Sequence, residues 1–243
     1  MLHFKFKPTL LVASLAAAIM ATPAAQAQRV EPMRFELEPS GSGTQTTVLV
    51  TNTRSFPITI EAIPSTLTID ENGEETLTPA EDDFLIFPPQ AVIAPGKSQS
   101  IRVRYIGDGV LDRSQAYRIG INQLPIDMRQ ESETGVSVTV NFATLVNVVP
   151  SGSRNDLSVT EIVTAEDGNW RLRISNDGNR YARLSDFDIR LTQGGQSAQI
   201  DNRETQRLFD KNLVLPGNQL YVTMPAQDGF DPSETTITLV ESS

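Results

Sequence analysis

Three arginines on two predicted strands are candidates for a pocket that receives a carboxylate. In "SIRVRYI", Arg102 and Arg104 share one strand face, opposite Ile101, Val103 and Tyr105. In "AYRIGIN", Arg118 shares a face with Gly120 and Asn122, opposite Tyr117, Ile119 and Ile121, and Gly120 removes bulk beside the arginine. A guanidinium fork grips a carboxylate through two parallel hydrogen bonds, so the chemistry on offer is recognition of an anionic group. Alternating charges are also the ordinary solvated face of an antiparallel sheet, and spacing alone does not separate the two readings. Two acidic clusters offer other chemistry. "DENGEE" (Asp70 to Glu75) has a superficial likeness to a calcium loop, but lacks the spaced ligands and closing Glu of an EF-hand and reads as a solvated hairpin tip. "EDD" (Glu81 to Asp83) could supply the paired carboxylates of a glycosidase, although their separation cannot be read from sequence and most surface acids do no chemistry.

Other catalytic classes are closed by absent residue types. The chain has no cysteine and one histidine, His3. His3 falls in "MLHFKFKPTLLVASLAAAIMATPAAQAQ", where Lys5 and Lys7, an apolar run from Leu10 to Met20 and Ala25-Gln26-Ala27 spell a secretory signal peptide cleaved after Ala27. The apolar run is too short for a comfortable membrane span, so no span is expected once the signal is removed. Without residues 1–27 the chain has no Ser-His-Asp triad, no thiol nucleophile and no His/Cys zinc site, so no catalytic residue, metal ligand or cofactor site is assigned. The formal charge of −10 becomes −12 when Lys5 and Lys7 are removed, which disfavours binding to nucleic acid. Lys97 and Lys211 are then the only lysines, beside 16 arginines, so a specific cationic site would be built from arginine.

The elements that must hold these residues are strands. "TTVLVTN", "ITIEAI", "TLTID", "SIRVRYI" and "AYRIGINQL" carry β-branched or aromatic residues with period two, and turn signals at Asn72-Gly73, Pro88-Pro89, Pro95-Gly96 and Gly107-Asp108-Gly109 separate them. No segment shows a sustained helical period. "VPSGSRND" then interrupts the pattern, after which "LSVTEIVTAEDGNWRLRISN" reads as a hairpin closed at Asp167-Gly168, followed by further strands to "TTITLV". The prediction is an all-β chain of two sandwich domains, 28–149 and 154–243, linked by 150–153, with one continuous sandwich as the alternative. "GVSVTVNFATLVNVV" (Gly135 to Val149) is unusually long. At ~3.3 Å per residue it could reach roughly 50 Å, and it puts Val136, Val138, Val140 and Phe142 on one face. Either it crosses more than one partner strand, or part of it awaits a partner from another chain.

The order of motifs resembles the periplasmic chaperones of chaperone-usher pilus assembly, the P-pilus chaperone-like proteins, nearest their archaic branch. The residues that carry the resemblance are "TVLVTNTRSFPITIEA", "DFLIFPPQAVIAPGKSQSIRVRY", "DRSQAYRIGINQLPI", the long run before the linker, and "NDGNRYARLSDF" in the second half. The resemblance implies two immunoglobulin-like β-sandwich domains set as a boomerang, no enzyme activity, and a periplasmic chaperone for pilin or fimbrial subunits that lack the last strand of their own sandwich. The chaperone lends a strand until an outer-membrane usher exchanges it for the next subunit's extension, a form of β-strand addition that is a stock example of the mode. By position the lent strand would be Gly135 to Val149, with Val136, Val138, Val140 and Phe142 as the inserted side chains. An exposed donor strand also invites a self-capping homodimer.

The family's anchor for the subunit's C-terminal carboxylate cannot be carried over directly. It pairs an arginine of the first strand with a lysine of the donor strand, whereas here Thr144 or Leu145 stands about where the lysine would fall and "MRFELEPSG" offers only Arg34 near its start. Because the archaic-looking branch has its arginine in the "IRV" strand, the resemblance places the anchor at Arg102, with Arg118 and Arg104 as helpers. Rival readings are a structural pilus subunit or adhesin, disfavoured by the short, charged start "QRVEPMRFELEP", and a carboxylate-based carbohydrate-active enzyme using Glu81, Asp82 or Asp83.

Overall fold

A computed structural model describes residues 28–125 and 139–242. The first ten strands are β1 (Arg29–Glu31), β2 (Arg34–Leu37), β3 (Gln45–Thr51), β4 (Ile58–Ile69), β5 (Glu75–Pro79), β6 (Phe84–Phe87), β7 (Gln90–Ile93), β8 (Ser98–Tyr105), β9 (Gln115–Leu124) and β10 (Asn141–Val148). They form two sheets: β1-β3-β8-β6, and β2-β10-β9-β4-β5 with β7 also paired to β4. Alternation does the sorting. In β8, Ile101, Val103 and Tyr105 are buried while Arg102 and Arg104 are exposed, as the period-two pattern requires. The sheets close on Val48, Val50, Ile58, Ile60, Ile119, Ile121, Val146 and Val148, all at most 2% exposed. At one end Phe84 packs edge-on against Tyr105 and Tyr117, with ring centroids 5.5 and 4.9 Å away. The Tyr117 hydroxyl donates to Asp83 at 3.0 Å, and burial pushes the Tyr117 pKa far above the usual range.

The second set comprises β11 (Leu157–Thr164), β12 (Trp170–Asn176), β13 (Ala182–Arg183), β14 (Phe187–Gln193), β15 (Gln196–Ile200), α1 (Asn202–Leu208), β16 (Leu213–Val214), β17 (Gln219–Met224) and β18 (Thr236–Glu241). It builds the sheets β11-β12-β17, β13-β16 and β15-β14-β18 around a separate core of Trp170, Leu172, Ile174, Leu184, Ile189 and Leu191. The β11–β12 hairpin turns where its sequence predicts, with Gly168 at φ +82° and Ala165 N–H bonded to the Asn169 carbonyl at 2.8 Å. Helix α1 is an addition to the strands-only expectation. At seven residues it is too short to show a period, and it rests on its cap: the Asp201 side chain accepts from Glu204 N–H, with buried Thr205 as its tie to the core. The fold is the predicted class, two immunoglobulin-like β domains.

Near its start the chain changes sheets. It begins as β1, antiparallel to β3 in the four-stranded sheet, and after Pro32 and Met33 continues as β2 in the six-stranded sheet, where it runs parallel to β10. That switch covers one edge of β10 only from Leu145 onward.

Candidate functional site

The register of the six-stranded sheet sets out the site. Leu145 of β10 lies opposite Arg34 of β2 on one side and Arg118 of β9 on the other, and Asn147 lies between Glu36 and Ala116 in the next outward row. Directly opposed residues project to the same face, so Arg34, Leu145 and Arg118 form one row outside the sandwich, while Phe35, Val146 and Tyr117 face the core. This outer face is roofed by the second sandwich. Leu67, Ala116 and Leu145 form a small buried cluster with Ile69, Leu213 and Leu215.

Two clasps hold the roof. On one side the Glu36 carboxylate accepts from Arg180 at 2.7 and 2.9 Å and from the Tyr181 hydroxyl. Burial, and then the bond to Glu36, pushes the Tyr181 hydroxyl's pKa well up, so it stays a donor. On the other side the "DENGEE" segment is the expected solvent-exposed hairpin tip, tethered to the second sandwich: Lys211 pairs with Glu74 and donates to the Asn72 carbonyl at 2.9 Å, and Tyr221 N–H donates to the Glu71 carbonyl at 2.7 Å. Asp70 accepts from Asn72 and Glu74 N–H within the turn, and no cluster of three metal-ligating side chains exists among the described residues.

Between the clasps lie two connected hollows. One, of about 220 Å³, is lined by Arg34, Leu145, Arg118, Arg183 and Lys211, and the other, of about 310 Å³, by Arg34, Asn147, Tyr181 and Arg183. Most of these cations are already engaged. Arg118 is forked onto Glu75, with Nε at 3.1 Å, and reaches the Ala143 carbonyl at 3.4 Å. Arg183 holds Asp186 at 2.7 Å and Ser185 at 3.2 Å through Nη2. The guanidinium of Arg34 makes no hydrogen bond or ion pair among the described residues, and it lines both hollows.

The arginines singled out from sequence are thus divided. Arg118 lies in the cleft, but Arg102 and Arg104 stand on the outer face of the four-stranded sheet, level with Thr47 and Phe87 and with Gln45 and Leu85 respectively. Two stacked sheets lie about 10 Å apart, so β8 arginines cannot share a ligand with Arg118 through the intervening core. The fold therefore does not bring Arg102 and Arg104 together with Arg118. The face assignment within each strand is right, but strand spacing carries no information on which sheet each strand joins. Arg34, Asn147, Arg183 and the Glu36 clasp were missed as a group, because only the parallel β2–β10 pairing and the docked second sandwich bring them together. Glu81 and Asp82 are exposed on a short 3-10 turn, and Asp83 accepts from the Tyr117 hydroxyl at 3.0 Å.

The proposed donor residues divide along β10. From Leu145 to Val148 the strand is flanked on both sides, with Leu145 N–H bonded to the Met33 carbonyl at 3.0 Å. From Asn141 to Thr144 only β9 pairs with it, and the other edge has no strand partner among the described residues. Phe142 is half-buried against the first core and Val140 is half-buried just upstream, in the same inward row as Val146 and Val148. Val136 and Val138 lie outside the described residues.

Residues 29–152 match the family described as pili and flagellar-assembly chaperone, PapD N-terminal domain, and the chain belongs to that family. No curated protein matches it in sequence. Among solved structures it is similar to the class 5 fimbriae chaperone CfaA, with 15% identity and a TM-score of 0.58 over 89% of this chain and all of that one. A Salmonella enterica complex of the SafA pilin with the SafB chaperone gives 16% identity and a TM-score of 0.55 over 90% of this chain and 99% of the other. The CsuC–CsuE chaperone–tip subunit complex of archaic Csu pili from Acinetobacter baumannii gives 14% and 0.53 over 82% and 90%. At these identities the likenesses establish the fold, a paired immunoglobulin-like architecture over the whole described chain.

Proposed function

We propose that this protein is a periplasmic chaperone that captures pilin or fimbrial subunits by lending them the free edge of β10, and delivers them to an outer-membrane usher. The observation that carries the reading is the change in β10 at Leu145, a covered interior strand from that residue on and, among the described residues, an edge paired on one side only before it. A subunit lacking a strand has unpaired amides and an apolar groove. An edge strand with half-buried Val140 and Phe142, preceded in sequence by Val136 and Val138, supplies hydrogen bonds for the first and side chains for the second. Each buried side chain would contribute about 1.5 to 3 kcal/mol before the costs of association. No nucleotide and no catalysis enter, since the exchange of one strand for a better-fitting one drives the step. The subunit's C-terminal carboxylate is anchored in the cleft by Arg34, the unengaged cation, with Arg118 beside it across Leu145.

Residues 1–27 direct export to the periplasm and are then cleaved off after Ala27, and among the described residues no helix is long and apolar enough to cross a membrane. Residues 150–153 join the domains 28–149 and 154–243, and the free chaperone caps its donor edge with a second copy. Co-expression with periplasmic fibre subunits tests the reading. A soluble complex is expected with the unaltered chain and its loss with Val138→Asp plus Val140→Asp. A complex indifferent to both charges overturns strand donation through this segment.

A further inference from the structure

The larger hollow is lined by two residues that each carry a buried polar atom with no hydrogen-bond partner among the described residues. Asn147 is 3% exposed, its Oδ1 has no hydrogen-bond partner, and it lines the hollow beside Arg34. Across from it the second sandwich contributes Arg183, whose Nε is likewise buried and unpartnered. Buried polar groups are nearly always paired, so an orphan acceptor and an orphan donor on two residues that line one cavity call for a ligand whose entry turns them toward a donor and an acceptor of its own. Arg183 is also held in place. Its Nη2 is committed to Asp186 and Ser185, which offsets its charge and leaves Nε–H as a directed donor. Such a group suits a neutral carbonyl better than an anion, whereas unpaired Arg34 suits the anion.

We infer that Asn147 and Arg183 form a main-chain-binding pair, so that the cleft recognises a peptide end and not merely a charge. The N–H and C=O of one extended residue point to the same side of a strand, which is how antiparallel neighbours exchange two bonds. One such residue of the captured chain donates its N–H to Asn147 Oδ1 and accepts from Arg183 Nε–H, just upstream of the carboxylate held by Arg34. The inference rests on subunit capture by this chaperone and adds that the second sandwich supplies half of the pair, which gives that domain a direct part in binding.

The test is calorimetric titration of the complete processed chain with a synthetic peptide that ends in the C-terminal strand of a fibre subunit, prepared once as the free acid and once as the C-terminal amide. Asn147→Leu and Arg183→Lys are each expected to weaken both peptides roughly three- to tenfold, the size of one lost hydrogen bond. Lysine keeps the charge but lacks the Nε–H, so its failure to rescue distinguishes a directed donor from a cation. Arg34→Ala is expected to weaken the acid and leave the amide unchanged. Asn147→Leu should fold at least as stably as the parent in urea, because it removes an orphan acceptor, so a weaker titration cannot be put down to misfolding. Unchanged binding of both peptides by Asn147→Leu and Arg183→Lys, with Arg34→Ala still weakening the acid, overturns the pair and leaves the capture reading standing. Binding of neither peptide by the unaltered chain overturns the reading of the cleft and the pair with it.

Discussion

On the outer face of the four-stranded sheet, Arg102 and Arg104 stand in water beside Phe87 and Leu85, with Phe87 71% exposed. On the outer face of the six-stranded sheet, Arg34 and Arg118 flank Leu145, which is 5% exposed beneath the second sandwich. Both faces are written in the same alternation of arginine with core residues, and both belong to one sandwich. What differs is the cover. A roof lowers the local dielectric and makes every unpaired group beneath it costly, whereas the same side chain in water is screened.

The contrast is sharpest for apolar side chains. Leu145→Ala should cost about 2 to 5 kcal/mol in urea unfolding, because it empties the seam between the sandwiches, whereas Phe87→Ala on the open face should change stability by less than about 0.5 kcal/mol. Equal losses at the two positions would mean that the second face is not a working interface. For the charges the readout is subunit capture. Arg34→Ala should weaken a subunit complex by roughly tenfold or more, the worth of a charge-assisted bond, and Arg102→Ala should leave it unchanged. The reverse ranking in a pull-down would return the anchor to β8.

A smaller effect separates the clasp from the open face. Glu36→Gln, which weakens the bonds from Arg180 and Tyr181, should cost about 0.5 to 1 kcal/mol, since the ion pair is partly exposed and screened. Arg104→Ser should cost nothing measurable. The clasp also has a pH signature. Burial and Glu36 raise the Tyr181 pKa in the folded chain, so the folded state keeps a proton that the unfolded state sheds above about pH 10. Stability is therefore intact below that pH and declines as pH rises beyond it. Tyr181→Phe should flatten part of that decline in alkaline denaturation, and an unchanged slope would show that Tyr181 is not held by the clasp.

Much of the architecture was legible because it rests on local rules. The period-two pattern of β8 and β9 placed Ile101, Val103, Ile119 and Ile121 inward, and Asp167-Gly168 announced its hairpin. Helix α1 left only a faint trace, Asp201 followed three residues later by Glu204, the spacing of a capping box. Two buried asparagines also follow one design that sequence reading passed over. Asn52 donates to the Phe56 and Ile93 carbonyls, and Asn176 to those of Arg180 and Val214, each tying the turn four residues on to a distant strand. The local half of each contact is visible in "TNTRSF" and "SNDGNR"; the distant half is not.

By itself the sequence determined which residues of strands such as β8 and β9 face inward, and that cysteine is absent and the single histidine is His3, since these depend on residue type and on a two-residue period. Only the tertiary structure decided that Arg34 and not Arg102 reaches the cleft, that among the described residues β10 has one strand neighbour before Leu145 and two from Leu145 on, and that Asn147 and Arg183 line one hollow. Those facts depend on which strands become neighbours and on what packs over their outer face. Such pairings join residues as far apart in sequence as Glu36 and Arg180, so they are fixed by the packing of whole sheets and leave no mark in any local spacing.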